Sequence, residues 1–139
     1  MVYGQGADPR NATLKDGTTV AGPGYLLTHD STNNKLDLTA ATEIAIGISA
    51  AESSRDAAGT LDATNATVSF YPLGGMLMVA SAASQTWTTG LTVYIGAGGL
   101  ITTTAGSNKK LGLYIGEGEV TSSSAGDLVP VMTAGAAIA

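Results

Sequence analysis

Residues 63–108 read ATNATVSFYPLGGMLMVASAASQTWTTGLTVYIGAGGLITTTAGSN, with no charged side chain between Asp62 and Lys109. β-Branched and aromatic residues form short runs such as TVSFY and LTVYI, and each run ends near a glycine, proline or serine cluster. This punctuation is typical of strands joined by tight turns. Every apolar run is well short of the roughly 18 residues that cross a bilayer, so the segment predicts no membrane partner. A neutral, hydroxylated surface favours packing against other protein.

The same alternation of strands and turns extends in both directions from this segment. Ile44, Ile46 and Ile48 repeat with a period of two, which predicts a strand with one buried face. Pro72 and the glycines after it predict a bend between two strands, and residues 81–85 are compatible with one helical turn. Many short strands predict an all-β sandwich or barrel. The predicted strands are 18–21, 25–28, 35–38, 43–49, 67–71, 76–80, 92–95, 100–104, 111–116 and 128–132.

Composition narrows the domain organisation and the possible partners. Residues 1–17 lack a hydrophobic period and predict an extended N-terminal arm, whereas residues 18–139 predict a single β-rich body. Charged residues make up 12% of the chain, and the net charge of -5 disfavours binding of nucleic acid, which needs clustered Lys and Arg. Cysteine is absent, which excludes thiol chemistry. The first residues show no secretory signal, so we expect use without export.

Catalytic candidates are few. His29 is the single histidine, with Asp30 and Asp37 nearby, but the HDS sequence is more typical of a turn than of a Ser-His-Asp site. Glu117 and Glu119 lie two residues apart after a predicted strand, where paired acids are usually solvated. We therefore expect no enzymatic activity.

Ligand motifs are equally weak. Residues 56–62, DAAGTLD, fail the spacing of a calcium-binding EF-hand loop and predict a solvated loop or a casual cation site. The glycines around residues 96–99 and 116–118 do not form a nucleotide-binding GxGxxG pattern. We expect no cofactor and no metal. Trp87 has three open interpretations: a sugar-stacking platform, a contact between subunits, or a core residue.

Residues 90–118, GLTVYIGAGGLITTTAGSNKKLGLYIGEG, resemble the C-terminal segment of tailed-bacteriophage capsid cement proteins. That segment is a GxxVYxxxxGxxT hairpin, a short turn, an xxGxxxG strand and a last strand similar to residues 127–132. Upstream, YLLTHDSTNNKLDL, AIGISA and TVSFYPLGG are similar in order and spacing to lambda-type head decoration proteins. The resemblance covers most of residues 18–132.

The resemblance implies a β-tulip body that binds the outer surface of an icosahedral phage head. Such a virion protein is made in the host cytoplasm, contacts the major capsid protein and is often a homotrimer. We expect self-association through apolar residues of the uncharged segment and capsid binding by the N-terminal arm. A carbohydrate-binding or adhesive β module, from a phage fibre or a cell surface, is the alternative. The self-association candidates are Phe70, Tyr71, Leu73, Met76, Met78 and Trp87, and the arm candidates are Val2, Tyr3, Pro9, Arg10 and Leu14.

Overall fold

The computed structural model describes residues 9–133, and the fold is all-β, which confirms the predicted class. Apart from strands, this part of the chain contains a short 3-10 helix at Ala97–Gly99. The strands are β1 (Arg10–Thr13), β2 (Leu26–Asp30), β3 (Lys35–Leu38), β4 (Gly47–Ser49), β5 (Thr67–Pro72), β6 (Gly75–Ser81), β7 (Gln85–Trp87), β8 (Thr92–Ile95), β9 (Ile101–Thr102), β10 (Lys110–Tyr114), β11 (Val120–Ser122) and β12 (Asp127–Thr133).

The first five strands form the N-terminal sheet, in the order β1-β5-β4-β2-β3 with antiparallel neighbours. A parallel bridge between Leu14 and Leu36 brings the two edges of this sheet together, and the Lys15 amide donates to the Leu36 carbonyl at 2.8 Å. The sheet therefore curls around its own core, in which Leu14, Val20 and Leu27 are fully buried. The predicted bend at Pro72 then leads from β5 into β6.

Strands β10-β12-β6-β9-β8 close the C-terminal barrel, and β7 pairs with β11 as a separate two-stranded sheet. Gly112 allows β10 and β12 to approach closely, because a Cβ atom there would clash with the Met132 carbonyl oxygen. Pro130 lies in β12 at the end of its pairing with β10. The last paired residues are Tyr114 and Val131, and the Ile115 amide, one residue beyond β10, still donates to the Pro130 carbonyl at 3.2 Å. A proline is tolerated there because pairing with β10 is ending.

Strands β2 and β4 form a wall shared by the two regions. Leu26 and Ile48 belong to the core of the C-terminal barrel, whereas Leu27, the next residue along β2, belongs to the core of the N-terminal sheet. Consecutive residues of a strand point to opposite faces, so one strand contributes to both cores. The Ala80 amide also donates to the Gly24 carbonyl at 2.8 Å, which joins β6 to the segment before β2.

Several strand predictions are confirmed and others are wrong. The strands at 35–38 and 92–95 have the predicted bounds, whereas residues 18–21 form no strand, and residues 81–85 contain a strand end and a turn instead of a helical turn. The 43–49 strand is shortened to β4, because a turn in which the Glu43 amide donates to Ala40 precedes it. Ile44 is consequently 45% exposed while Ile48 is 4% exposed, so the predicted common buried face is wrong.

The expected N-terminal arm is wrong for its second half. Arg10–Thr13 pairs residue by residue with β5, from Arg10 opposite Phe70 to Thr13 opposite Thr67. Leu14 is 0% exposed in the core of the N-terminal sheet, so it is unavailable to a capsid. The edge strand carries too few apolar residues to show a period, which explains the error. Arg10 and Pro9 are exposed, and Val2 and Tyr3 lie outside the described residues.

Candidate interaction surface

The outward side of strands β6, β12 and β10 is apolar, and we call it the methionine face. Alternation along β6 and β12 places Leu77, Val79, Val129 and Val131 inside the barrel, where each is at most 2% exposed. The residues between them point outward instead. The methionine face consists of Met76, Met78, Leu113, Leu128, Pro130 and Met132.

Register brings these side chains together across three strands. Met132 is directly opposite Leu113 of β10 on one side and Met76 of β6 on the other. Pro130 is opposite Met78, which continues the apolar surface along β12. Directly paired side chains on one face of a sheet are about 5 Å apart at Cβ, close enough to form one continuous patch. Leu113, Met132 and Leu128 are 47%, 43% and 40% exposed.

Two of the sequence-predicted self-association residues lie on this face and four do not. Met76 and Met78 are half-buried members of the methionine face. Phe70 packs against the core of the N-terminal sheet, and Tyr71 and Leu73 pack against the core of the barrel. Leu113, Leu128 and Met132 were not among the residues predicted from sequence. The available signal was the sequence LVPVM at 128–132, which is apolar at both alternating sets of positions and so leaves one apolar set outside the barrel.

Trp87 is a core residue, so its predicted contact with a second subunit and its use as a sugar platform are wrong. The side chain is 0% exposed and stacks on Tyr114 with ring centroids 6.0 Å apart. Its Nε1 donates to Ser81 Oγ at 3.2 Å, and Ser81 Oγ lies 2.8 Å from Ser122 Oγ. Ser122 Oγ in turn donates to the Ala82 carbonyl at 2.9 Å. This buried network satisfies the indole N–H inside the barrel.

The histidine and its neighbouring acids stabilise a turn. His29 Nε2 lies 2.9 Å from Asn34 Oδ1, and Asp30 accepts hydrogen bonds from the Thr32 amide and from Asn33 Nδ2 at 2.6 Å. The Asn33 hydrogen bond is the main cause that lowers the pKa of Asp30 below its usual value, with smaller contributions from Thr32, Lys15 and His29. Asp37 instead accepts a hydrogen bond from Thr18 Oγ1 at 2.7 Å. These hydrogen bonds hold the side chains of His29, Asp30 and Asp37 in the turn and in the strands beside it.

The other acidic candidates also have structural partners or lie in solvent. Asp56 Oδ1 accepts from the amides of Ala58 and Thr60 within its own loop, at 2.9 and 3.0 Å. Glu117 and Glu119 are both exposed in the turn between β10 and β11. Within residues 9–133, no three His, Asp or Glu side chains are grouped as metal ligands. The part of the chain that the structure describes also contains no helix long and apolar enough to cross a membrane.

No family model matches the sequence, and no curated protein matches it. The methionine face, the distribution of charge and the sequence resemblance to capsid cement proteins are the features that bear on function.

Proposed function

We propose that this protein is a structural virion protein that binds the outside of an icosahedral phage head and stabilises the capsid lattice. The observation that carries the proposal is the methionine face, a surface of six uncharged apolar residues on the outside of a closed barrel. Exposed apolar residues grouped into one patch are typical of protein interaction sites. The resemblance to capsid cement proteins supplies the identity of the partner, the major capsid protein.

The proposed mechanism is bridging. A subunit, or a trimer as the resemblance implies, that contacts several capsid proteins at once adds links between them. One lattice contact then cannot open without breaking others. A contact that does open re-forms readily, because the linked partners stay at a high effective concentration. Weak individual contacts are sufficient for this effect, and no chemical reaction is needed.

The N-terminal segment contributes to capsid binding in this proposal, but with a new boundary. Because β1 pairs with β5 and Leu14 is buried, the proposed capsid-binding arm is restricted to residues 1–9, including Val2, Tyr3 and Pro9. Arg10, which follows the arm, is opposite Phe70 of β5. Addition of a strand to an edge of the capsid protein is the proposed contact.

Two deletions test this boundary. Removal of residues 2–8 should weaken head binding and leave the unfolding transition unchanged, because no described pairing is lost. Removal of residues 2–15 should lower stability as well, because it deletes β1 and the buried Leu14. Circular dichroism measures folding and sedimentation with heads measures binding. Full head binding by the shorter deletion would contradict the proposed role of the arm.

The function itself is tested by co-sedimentation of the purified protein with expanded, undecorated phage heads. Saturation at a fixed ratio to the major capsid protein is the expected result, and a ratio of one to one with heads occupied at three-fold positions would support the trimer. Failure to bind heads from any tested phage would contradict the proposal. Glycan-array screening would then test the adhesive alternative, with no role for Trp87.

A further inference from the structure

We infer that Met132 is an oxidation site, at which a peroxide converts the thioether to a sulfoxide and so weakens binding at the methionine face. The modification concerns the free protein, whereas its effect on head binding rests on the proposed function. Three features of the barrel carry the inference: the grouping of its methionines, the exposure of Met132 and the outward direction of that side chain.

Methionine is concentrated on one surface of this chain. The sequence contains four methionines, of which three lie on the methionine face and the fourth, Met1, lies outside the described residues. Met132 is directly opposite Met76, and Met78 follows on the same side of β6. Directly paired side chains are about 5 Å apart at Cβ, so thioethers from two strands lie beside each other. Oxygen transfer to these sulfurs therefore changes one continuous surface.

Exposure selects Met132 as the first of the three to react. Met132 is 43% exposed, whereas Met76 and Met78 are half-buried, and susceptibility to oxidation follows access of the oxidant to the sulfur. The sulfur lone pair attacks one oxygen of hydrogen peroxide and the O–O bond breaks, so the sulfur gains an oxygen and loses two electrons. The proton of the attacked oxygen passes to the departing hydroxide, which leaves as water.

A sulfoxide at this position places a polar oxygen within the apolar face. Met132 lies between Leu113 and Met76, and neither of their side chains can donate a hydrogen bond to it. A partner that covers the face with apolar groups would bury the sulfoxide oxygen without a hydrogen bond, which disfavours the contact. The oxidised protein should therefore bind heads about tenfold more weakly than the reduced protein.

The fold should survive this change, because the modified side chain points away from the interior of the barrel. Val131 and Thr133, the neighbours of Met132 along β12, are buried, but Met132 belongs to neither hydrophobic core. Oxidation therefore alters binding without altering folding. It is also reversible, because a methionine sulfoxide reductase transfers two electrons from a dithiol to the sulfoxide and releases its oxygen as water.

Limited treatment of the purified protein with hydrogen peroxide tests the site. Tandem mass spectrometry of proteolytic peptides should find the sulfoxide of Met132 before those of Met76 and Met78, and it assigns oxidation of Met1 separately. The urea midpoint should be the same before and after treatment, and a lowered midpoint would contradict the outward placement of the modified side chain.

Retention on a hydrophobic-interaction column measures the change in the surface without phage heads. Oxidation should shorten the retention of the wild-type chain, because the sulfoxide is polar. Met132→Leu keeps an apolar side chain without sulfur, so its retention should not change with peroxide. The double variant Met76→Leu with Met78→Leu is the matched control, since it keeps Met132 and should respond as the wild-type chain does.

Head binding measures the consequence of the modification. Oxidised wild-type protein should sediment with heads about tenfold more weakly, and treatment with methionine sulfoxide reductase and dithiothreitol should restore binding. Met132→Leu should bind equally well before and after peroxide. Met132→Gln places a polar amide near the position of the sulfoxide oxygen and should weaken binding without any oxidant.

Three results would overturn the inference. The first is a sulfoxide of Met76 or Met78 that forms before that of Met132. The second is a column retention that peroxide leaves unchanged in the wild-type chain or shortens equally in Met132→Leu. The third is a loss of head binding on oxidation that Met132→Leu also shows. Untreated wild-type protein that fails to bind heads would contradict the capsid proposal alone, because peptide mapping and column retention need no heads.

Discussion

The N-terminal sheet and the C-terminal barrel are both small curled β structures, but they are stabilised and exposed differently. All four ion pairs of the described residues lie in the half of the chain that builds the sheet, including Lys15 with Asp30 and Asp37. The barrel instead has a buried hydroxyl network under Trp87 and an apolar outer side. A polar exterior suits contact with water, whereas the methionine face suits contact with protein.

The shared wall of β2 and β4 limits how independent the two regions are. Leu26 packs in the core of the barrel and Leu27 in the core of the sheet, so loosening of one core displaces the strand that completes the other. We therefore expect one cooperative unfolding transition for both regions, as is usual for a chain of this size. Substitutions in each core test whether the two regions unfold together although their surfaces differ.

Trp87→Ala should have the largest effect, because it removes the largest buried side chain of the barrel together with the Tyr114 stacking contact. Removal of a buried tryptophan costs about 4 kcal/mol of unfolding free energy. Urea denaturation followed by circular dichroism measures it. Val120→Ala, at the exposed position opposite Trp87, is the control and should change stability by less than about 0.5 kcal/mol. Equal effects of the two variants would contradict the assignment of Trp87 to the core.

Gly112→Ala should lower the free energy of unfolding by about 3 kcal/mol, because its Cβ atom has no room against the Met132 carbonyl and β10 must move away from β12. Gly22→Ala is the matched control, since a Cβ atom at Gly22 meets nothing within 4 Å. Thermal unfolding of the two variants makes the comparison. A Gly112→Ala protein as stable as Gly22→Ala would show that the barrel is less tightly closed at this point.

Leu14→Ala tests the coupling of the two regions and should cost about 2 to 3 kcal/mol, because it leaves a cavity in the core of the N-terminal sheet. Trp87 is the single tryptophan and lies in the other core, so its fluorescence reports unfolding of the barrel. In a joint transition, the fluorescence midpoint in urea shifts as far as the circular dichroism midpoint. An unchanged fluorescence midpoint would show that the two regions unfold in separate transitions.

Asp30→Asn should have the smallest effect, a small loss of stability that is present at neutral pH and disappears in acid. Because the pKa of Asp30 in the folded chain is below its usual 3.8, the unfolded chain binds this proton more readily. The resulting stabilisation is present above about pH 3.8 and is lost as the pH falls through the lowered pKa. The variant should therefore show a flatter loss of stability in acid, measured as the urea midpoint against pH. An acid slope equal to that of the wild-type chain would contradict this role of Asp30.

Most strands could be predicted from sequence, but β7, β11 and the polar edge strand β1 were not. Lys35–Leu38 and Thr92–Ile95 have β-branched or alternating apolar residues between clear turns, so their bounds are local properties. Arg10–Thr13 is a strand only because the edge of β5 offers it hydrogen bonds. The residue that fixes it, Leu14, is a single apolar residue in a polar segment, and a single residue shows no period.

The sequence predicted apolar contacts within the uncharged segment, but four of the six residues of the methionine face lie outside that segment. Met76 and Met78 are on the methionine face, whereas Trp87 is in the core of the barrel, where it stacks on Tyr114 and donates to Ser81. Leu113, Leu128 and Met132 come from two other strands, and only register across β10, β12 and β6 places them beside Met76. Register depends on pairing between distant segments, which no local pattern contains.

The sequence by itself determined the all-β class, the turns and the absence of charge between Asp62 and Lys109, because these depend on residue type and short-range period. Only the tertiary structure decided that one strand contributes to two cores, that the N-terminal segment is fixed from Arg10 onward, and that the apolar surface spans three strands. The physical reason is that burial is a property of what packs over a residue. Trp87 and Met132 are both apolar, and only the packed fold places one inside the barrel and the other at its surface.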